Sequence, residues 1–329
     1  MRLFLRLILR LIRGPLFLWR RLQYATGMRA SRLVAWGSFP DAPYRAVVFG
    51  LEEDMWEHFD AAYPEYEKTF APSDVHLAEL RAALTKRHMA LLVFDNASKR
   101  HVDTVTRGLG VTVFHASYAP IPSLERDGDT AYGFLIDTVG PWLKARRQTE
   151  IGFFLENFNL NDREKLIAHG EALKSRLEMA PVENDNCLII AEDVEDNADI
   201  VEVANTVSTK DNQTLFQAHL FERWYDENVV SEFVRQLATH KTVVVSESPL
   251  GLLACFAGRN VIVSGRPFWA GYGLTTDMLR LNRSRALSVA ELISIVMLLL
   301  SRYVDNTGQV VDPTQEWGLI SASRINRLT

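Results

Sequence analysis

Hydroxyl and imidazole groups lie at the ends of two short apolar runs, where they could contact a phosphorylated ligand. Ser246 ends the run TVVVS, and Ser248, Pro249 and Gly251 follow it. A helix that begins with hydroxyls beside a glycine can bind an anion, although serines also cap helices that bind nothing. His219 lies at the end of TLFQAHL, where an imidazole could bind phosphate or transfer a proton. A lone histidine is more often structural, so His219 is a candidate that needs further support.

A group of carboxylates follows the apolar run CLIIAE. Segment 191–199, AEDVEDNAD, contains five acidic residues, of which Asp193 is the candidate for chemistry. Clustered carboxylates can bind a metal ion or act as a general base. They are equally typical of a solvated turn followed by the acidic first turn of a helix. The second interpretation is favoured for most of this cluster.

The segment 265–277, GRPFWAGYGLTTD, is here called the aromatic loop. Its three glycines allow backbone turns that other residues disfavour, and Pro267 stiffens its start. Its aromatic side chains offer flat faces of the kind that sugar rings stack on. Arg266 could bind an anionic group, and Asp277 could brace the loop. The loop is therefore predicted to border a glycan site, and its candidate residues are Arg266, Phe268, Trp269, Tyr272, Thr275 and Asp277.

Several common sites are absent from the sequence. There is no phosphate-binding Walker loop, no GxGxxG fingerprint and no GxSxG motif. No cysteine and histidine cluster has zinc spacing, so a zinc site is not expected, and none of the motifs searched for indicates another cofactor. Cys187 and Cys255 lie in apolar runs, which favours buried thiols in a reducing compartment.

The N-terminal 40 residues differ in charge from the rest of the chain. They contain eight arginines and no acidic residue, so they carry +8 while the remainder carries −13. The acidic remainder argues against nucleic acid as a partner. In the opening MRLFLRLILRLIRGPLFLWRRL, six arginines fall within an arc of roughly 100° of a helix. These six are Arg2, Arg6, Arg10, Arg13, Arg20 and Arg21.

This pattern predicts a basic amphipathic helix on an anionic membrane surface. No charge-free run approaches the ~18 residues of a membrane span, and arginines interrupt the stretch too often for a signal peptide. The alternative is that the apolar side packs on the protein's own body.

From residue 46 onward, apolar runs alternate with helical patterns. Such repetition predicts an α/β protein with parallel strands and right-handed crossovers. A capping box, Ser288 to Glu291, begins a last helix predicted to run to Val304. The predicted strands are 46–51, 89–94, 111–114, 132–137, 187–192, 214–220, 242–246 and 260–264.

These elements predict two Rossmann-like lobes with a cleft between them, and ligands bind beyond the carboxyl ends of strands in such sheets. The boundaries follow from the alternation of patterns. They are a basic membrane-surface segment 1–40, an N-terminal lobe 41–160, a C-terminal lobe 161–312, and a tail 313–329.

Three consecutive segments, GRPFWAGYGLTTD, RSRALSVAELI and LSRYVDNTGQ, resemble the C-terminal signature of bacterial capsular polysaccharide biosynthesis and export proteins. These are retaining β-Kdo glycosyltransferases of group 2 capsule assembly. The resemblance implies the two-lobed GT-B architecture, CMP-Kdo as the nucleotide-sugar donor bound by the C-terminal lobe 161–312, and no metal. It also implies a lipid-linked or polysaccharide acceptor, other capsule assembly proteins as partners, and a peripheral cytoplasmic location at the inner membrane.

The catalytic motifs of that family match less well. Asp193 stands where the family has glutamine, only His219 remains of Lys-Pro-His-Pro, and Leu253 replaces a glutamate. Ser248 and Gly251 remain from the family's donor-binding helix start, and Asp137 matches a later family aspartate. The segment 115–118, HASY, replaces the one that carries the family's nucleophilic aspartate.

Two interpretations follow from these departures. In the first, the protein is an active transferase in which His219, Ser246, Ser248 and the aromatic loop hold the donor, while Asp137 or Asp193 supplies a carboxylate. In the second, it is a catalytically degenerate member that binds a glycan or partner proteins in capsule assembly.

Overall fold

The computed structural model describes residues 44–85, 90–94, 99–137, 149–159, 163–191, 197–217 and 226–319. The predicted basic helix at the N-terminus lies outside these ranges and stays a prediction. The described residues from Arg45 onward belong to one compact unit with two β-sheets.

The strands and helices alternate along most of the described chain. The strands are β1 Tyr44–Phe49, β2 Tyr66–Ala71, β3 Ala90–Phe94, β4 Val113–Arg126, β5 Asp129–Asp137, β6 Cys187–Ala191, β7 Gln213–Gln217, β8 Thr242–Val245, β9 Asn260–Val263, β10 Thr276–Asp277, β11 Ser301–Asp305 and β12 Val310–Val311. The α-helices are α1 Trp56–Ala62, α2 Leu77–Thr85, α3 Lys99–Thr106, α4 Glu150–Asn157, α5 Glu164–Leu177, α6 Asn197–Val207, α7 Glu227–Leu237, α8 Pro249–Phe256 and α9 Val289–Ile293.

The first sheet has seven strands in the order β12-β11-β5-β4-β3-β1-β2. Strand β3 pairs in parallel with β1 and β4, whereas β5 pairs antiparallel with β4 and β11. A tight turn joins β4 to β5 through Asp127 and Gly128, whose φ angles of 53° and 91° suit a hairpin turn of the primed type.

The second sheet has five strands in the order β10-β9-β8-β6-β7, and all its pairs are parallel. Every residue of β6, CLIIA, is buried. A continuous apolar run is what a parallel strand covered on both faces requires. The parallel sheet predicted for this part of the chain is therefore confirmed.

The last helix differs from its prediction. The predicted capping box is present, with Ser288 and Glu291 bonded reciprocally. However, α9 continues only as a π-helix, Ser294–Leu299, and Ser301–Asp305 forms strand β11 instead of helix. Tertiary pairing overrides the local helical pattern here, because β11 pairs with β5 and buries Tyr303 against Gly133.

Tyr303 shows why β11 belongs to the first sheet. Its hydroxyl donates to the carbonyl of Ile121 at 3.0 Å. A Cβ at Gly133 would lie 2.5 Å from the Tyr303 ring, so this glycine makes room for it. Strands β11 and β12 lie within the range 161–312 that the sequence assigned to the second lobe, so the chain returns to the first sheet near its described end.

Candidate functional site

Each sheet contains one reversal of strand order. In the first sheet the chain passes from β1 to β2 on one side and from β3 to β4 on the other. The reversal therefore falls between β1 and β3. In the second sheet it falls between β6 and β8. Parallel sheets bind ligands beyond the carboxyl ends of the strands at such reversals. These two edges are therefore the places to look for a site.

At the second edge, the residues after β8 and β9 touch. An added Cβ at Gly265 would lie 2.7 Å from the carbonyl oxygen of Ser246 and 2.8 Å from Cγ of Glu247. A glycine is required here because the two backbone segments approach so closely. Ser246 and Glu247 are half-buried, whereas Arg266 is exposed. Among the described residues, neither Arg266 nor Glu247 has a hydrogen-bond or ion-pair partner.

Ser248 caps helix α8. Its Oγ accepts the backbone N–H of Leu250 at 3.3 Å, and Pro249 occupies the first turn. The side chain is almost fully buried. The plain capping interpretation therefore accounts for Ser248 in this structure.

Gly251 allows an aromatic ring to pack against α8. An added Cβ would lie 2.7 Å from Cη2 of Trp269 and 2.7 Å from Cγ1 of Val245. The indole of the aromatic loop thus rests on the first turn of α8. Close packing explains this glycine without a ligand.

The rings of the aromatic loop point into the protein. Trp269 and Tyr272 are each 1% exposed and Phe268 is 4% exposed. The interpretation of these rings as sugar-stacking faces does not hold in this structure, because no ring face is open. Burying large apolar rings away from water stabilises the folded protein, so the aromatic residues of this loop contribute to packing.

Asp277 braces the aromatic loop, as predicted. Its carboxylate accepts the backbone N–H of Gly271 at 3.1 Å and the hydroxyl of Thr275 at 2.8 Å. Gly271 and Gly273 have φ angles of 86° and 84°, in the region that favours glycine. Thr275 and Asp277 thus hold the loop's conformation.

Arg283 and Glu156 tie the loop to neighbouring segments. The Arg283 guanidinium lies 4.9 Å from the centre of the Tyr272 ring and donates to the carbonyls of Ala270 and Phe268 at 3.1 and 3.2 Å. Glu156 of α4 accepts the Tyr272 hydroxyl at 3.1 Å, as well as the N–H and hydroxyl of Ser284.

The pKa of Glu156 reflects this network. Burial by itself raises the pKa of Glu156, but the hydrogen bonds from Ser284 and Tyr272 and the charge of Arg283 outweigh burial and hold it below its usual value. Burial also raises the pKa of the Tyr272 hydroxyl, which stays protonated and donates to Glu156.

Asp137 is a helix cap in this structure. Its carboxylate is fully buried, and Oδ2 accepts the N–H groups of Glu150 and Ile151 at 2.8 and 3.4 Å. These N–H groups belong to the first turn of α4, where a negative charge is stabilised. The arrangement gives Asp137 the role of a helix cap. Leu253 of α8 is likewise buried.

His219, Asp193 and the arginines of the predicted membrane helix lie outside the described residues. The strands that precede His219 and Asp193 are β7 and β6, which are neighbours and run parallel to β8. The carboxyl ends of β6, β7 and β8 therefore lie at the same edge of the second sheet.

One carboxylate at the first edge was missed by the sequence reasoning. Glu52 follows β1, and its Oε2 accepts the hydroxyl of Tyr118 at 3.0 Å. The rule applied to the other strands, that chemistry follows a strand's carboxyl end, would have found it. Tyr118 ends the segment 115–118, which contains no carboxylate of its own.

Metal-binding clusters and membrane-spanning helices are both absent from the described residues. They contain no group of three or more histidines, cysteines and acidic residues placed to hold a metal ion. None of the helices in these ranges is both long enough and apolar enough to cross a membrane.

Comparison with known proteins gives matches only among solved structures. No protein-family model matches the chain, and no curated protein does. The Thermosulfurimonas dismutans KpsC β-Kdo 2,7 transferase aligns with a TM-score of 0.56 and 18% identity, covering 82% of this chain and 95% of that one. The β-Kdo 2,4 transferase of the same KpsC aligns with a TM-score of 0.50 and 15% identity, covering 81% and 94%.

At these identities the likeness concerns the fold. The protein has the mixed α/β fold of the KpsC β-Kdo transferases over most of the chain. The resemblance carried by the three C-terminal segments is thereby confirmed at the level of the fold.

Proposed function

We propose that this protein is a glycosyltransferase of capsular or other surface polysaccharide assembly that uses a nucleotide sugar, with CMP-Kdo as the first donor to test. The observation that carries the proposal is the shared fold with two β-Kdo transferases over more than four fifths of this chain. The three C-terminal segments support it independently, since they were found from sequence alone.

The proposed donor site is the carboxyl edge of the second sheet. Arg266 is exposed, and its guanidinium suits the phosphate of a nucleotide sugar. Ser246 lies beside it through the contact with Gly265. His219 and Asp193 are proposed to complete this edge because their strands lead toward it. Ser248 and Gly251 would shape the site by positioning α8, and no metal is required for this arrangement.

The test is incubation with CMP-Kdo and other nucleotide sugars, following nucleotide release with and without an acceptor. Arg266→Ala and His219→Ala are expected to weaken binding or release by at least about tenfold, as loss of a charge-assisted phosphate contact would. Arg107→Ala serves as the control, because it removes an exposed arginine that lies between β3 and β4 of the first sheet. A wild-type protein that neither binds nor turns over any donor would refute the proposal.

A second function is favoured by two specific observations. The candidate Asp137 is sequestered as a helix cap, and buried Leu253 stands where the resembling family has a glutamate. A catalytically degenerate protein that binds a glycan or partner proteins would show this pattern. Donor or glycan binding without nucleotide release, by calorimetry and a release assay together, would identify it.

The proposed place of action is the cytoplasmic face of the inner membrane. The support is the basic amphipathic pattern of the first 25 residues, which suits anionic lipid. A lipid-linked or polysaccharide acceptor and other capsule assembly proteins would be met there. Flotation with liposomes containing anionic lipid, for the full chain and a chain lacking residues 1–25, tests this, and equal flotation would refute it.

The lobe boundaries 41–160 and 161–312 are proposed in the same sense, with the two sheets as lobe cores, except that β11 and β12 of the second range belong to the first sheet. Limited proteolysis followed by mass spectrometry would locate the boundary. Cleavage confined to segments inside either sheet, with none near residue 160, would contradict it.

A further inference from the structure

Glu52 and Tyr118 face each other across the carboxyl end of β3. Phe49 of β1 pairs with Val93 of β3, and Val93 pairs with His115 of β4. Glu52 and Tyr118 each come three residues after this shared row. Since β3 lies between β1 and β4, the hydrogen bond between the two side chains spans the carboxyl end of β3.

This place is the reversal of strand order in the first sheet. The connection after β1 leads to β2 on one side, whereas the connection after β3 leads to β4 on the other side. Such a reversal opens a crevice beyond the carboxyl ends of the strands. A carboxylate in that position meets whatever occupies the crevice.

The surroundings hold the pair in a fixed geometry. Tyr118 is only 5% exposed, and its ring packs 6.1 Å from that of Phe94 and 5.6 Å from that of Phe134. Trp56 donates its indole N–H to the carbonyl of Leu51 at 3.0 Å, which fixes the backbone before Glu52. A buried hydroxyl on a stiff ring therefore orients a carboxylate that remains partly exposed.

The contrast with Asp137 decides between the two carboxylates. Asp137 is fully buried and bonded to the N-terminus of α4, whereas Glu52 is partly exposed and bonded to a side-chain hydroxyl at the crevice. A group that contacts a substrate must be both oriented and reachable. In the described residues of the first sheet's carboxyl edge, Glu52 meets both requirements.

We propose that Glu52 is the catalytic carboxylate of this protein, acting as nucleophile on the anomeric carbon of the bound nucleotide sugar, with Tyr118 as its positioning residue. This inference rests on the proposed transferase function. Segment 115–118 contains no carboxylate of its own, but the fold places the Glu52 carboxylate next to it.

The proposed transfer needs no reactant other than the nucleotide sugar and the acceptor. A carboxylate oxygen of Glu52 bonds to the anomeric carbon while the bond from that carbon to the nucleotide's phosphate oxygen breaks, and the phosphate leaves with the electron pair. An acceptor hydroxyl then bonds to the same carbon as the ester bond to Glu52 breaks. The hydroxyl's proton passes to water, and the carboxylate is restored.

The decisive experiment uses the wild-type full chain with a nucleotide sugar and no acceptor. After an acid quench and proteolysis, mass spectrometry is expected to find the peptide containing Glu52 heavier by one sugar residue. An adduct on another peptide, or a stoichiometric burst of nucleotide with no adduct on this one, would overturn the proposal. Because the wild-type chain is used, folding of a variant does not limit the result.

Variants give a second, independent measurement. Glu52→Gln is expected to lower nucleotide release at least about 10³-fold while donor affinity stays within about threefold, as for loss of a nucleophile. The matched control is Glu53→Gln, an exposed neighbour expected to keep wild-type release. Azide added to Glu52→Ala should restore nucleotide release and form a glycosyl azide, since it can enter the vacated space. A structural role for Glu52 would give no such rescue.

Tyr118→Phe separates positioning from catalysis. It is expected to lower the rate of release by about ten- to a hundredfold with little change in donor affinity, because the carboxylate remains but is less well oriented. Full release by Glu52→Gln would overturn the inference and leave the transferase proposal standing. Absence of release by the wild type with every donor would overturn both.

Discussion

The two sheets share a reversal of strand order, but their carboxyl edges are used differently. At the second edge, Ser248 caps a helix, Gly251 admits Trp269, and the aromatic loop buries its rings. At the first edge, Glu52 stays partly exposed and is oriented by a buried tyrosine. The edge with the more distinctive sequence is thus largely committed to packing. A rare motif can thus specify a fold, while the chemistry that we propose is assigned to a plainer segment.

The largest expected effect on stability comes from removing the buried indole at the second edge. Trp269→Ala should lower the free energy of unfolding by about 3–5 kcal/mol, because the indole is buried against α8 and its loss leaves a cavity. Urea unfolding followed by circular dichroism measures it. Met278→Ala, at an exposed residue close to the loop, is the control and should change stability by under about 0.5 kcal/mol. Similar values for both variants would contradict the packing role.

A substitution at Gly251 separates a packing role from a donor-binding role at this edge. Gly251→Ala should lower the free energy of unfolding by about 1–3 kcal/mol, because the methyl group would collide with Trp269 and Val245. Gly318→Ala is the control, since its Cβ would meet only an ordinary contact at 3.8 Å. Loss of donor affinity without loss of stability in Gly251→Ala would instead assign this glycine to the donor site.

Asp137 and Glu52 provide the direct comparison of a helix-capping carboxylate and the carboxylate that we propose to be catalytic. Asp137→Ala should lower the free energy of unfolding by about 1–3 kcal/mol, since two N–H groups of α4 lose their buried acceptor. Thermal and urea unfolding measure this, beside nucleotide release by the same variant. If Asp137→Ala kept full stability and lost release, the roles assigned to the two carboxylates would be reversed.

The smallest expected effect concerns pH and the loop's link to α4. Because the pKa of Glu156 is lower in the folded protein, its stabilising contribution is present above its ordinary value of 4.5 and is lost as pH falls below it. Glu156→Gln should cost under about 1 kcal/mol at pH 7, and the difference from wild type should shrink toward pH 3. Urea unfolding across this range measures the difference, with the exposed Glu79→Gln as control. A difference that grows on acidification would contradict the sign.

Much of the fold was predictable because the signals were local. The apolar runs of β1, β3, β6, β8 and β9, and the capping box of α9, each occupy a few consecutive residues. Other local signals were present but not used. Asp127-Gly128 is a hairpin turn signal that would have joined β4 to β5. Glu52 directly follows a predicted strand, so a strict search of strand ends would have included it.

The candidate site was less predictable because its contacts join distant segments. The predicted roles of His219, Asp193, Arg266 and Ser246 stay predictions. Asp137 was named from the resemblance and the aromatic rings from their residue type, and neither of these reports burial. Only the packed structure shows that a carboxylate caps a helix or that a ring faces inward.

By itself, the sequence determined the alternation of strands and helices, the parallel second sheet, the helix caps and the likeness of fold, because these depend on short-range patterns. The tertiary structure alone decided that SRYVD is a strand of the first sheet, since β11 gains its hydrogen bonds from β5, far away in the chain. It also decided that Glu52 meets Tyr118, 66 residues later. Strand order brings such pairs together, and no local pattern encodes strand order.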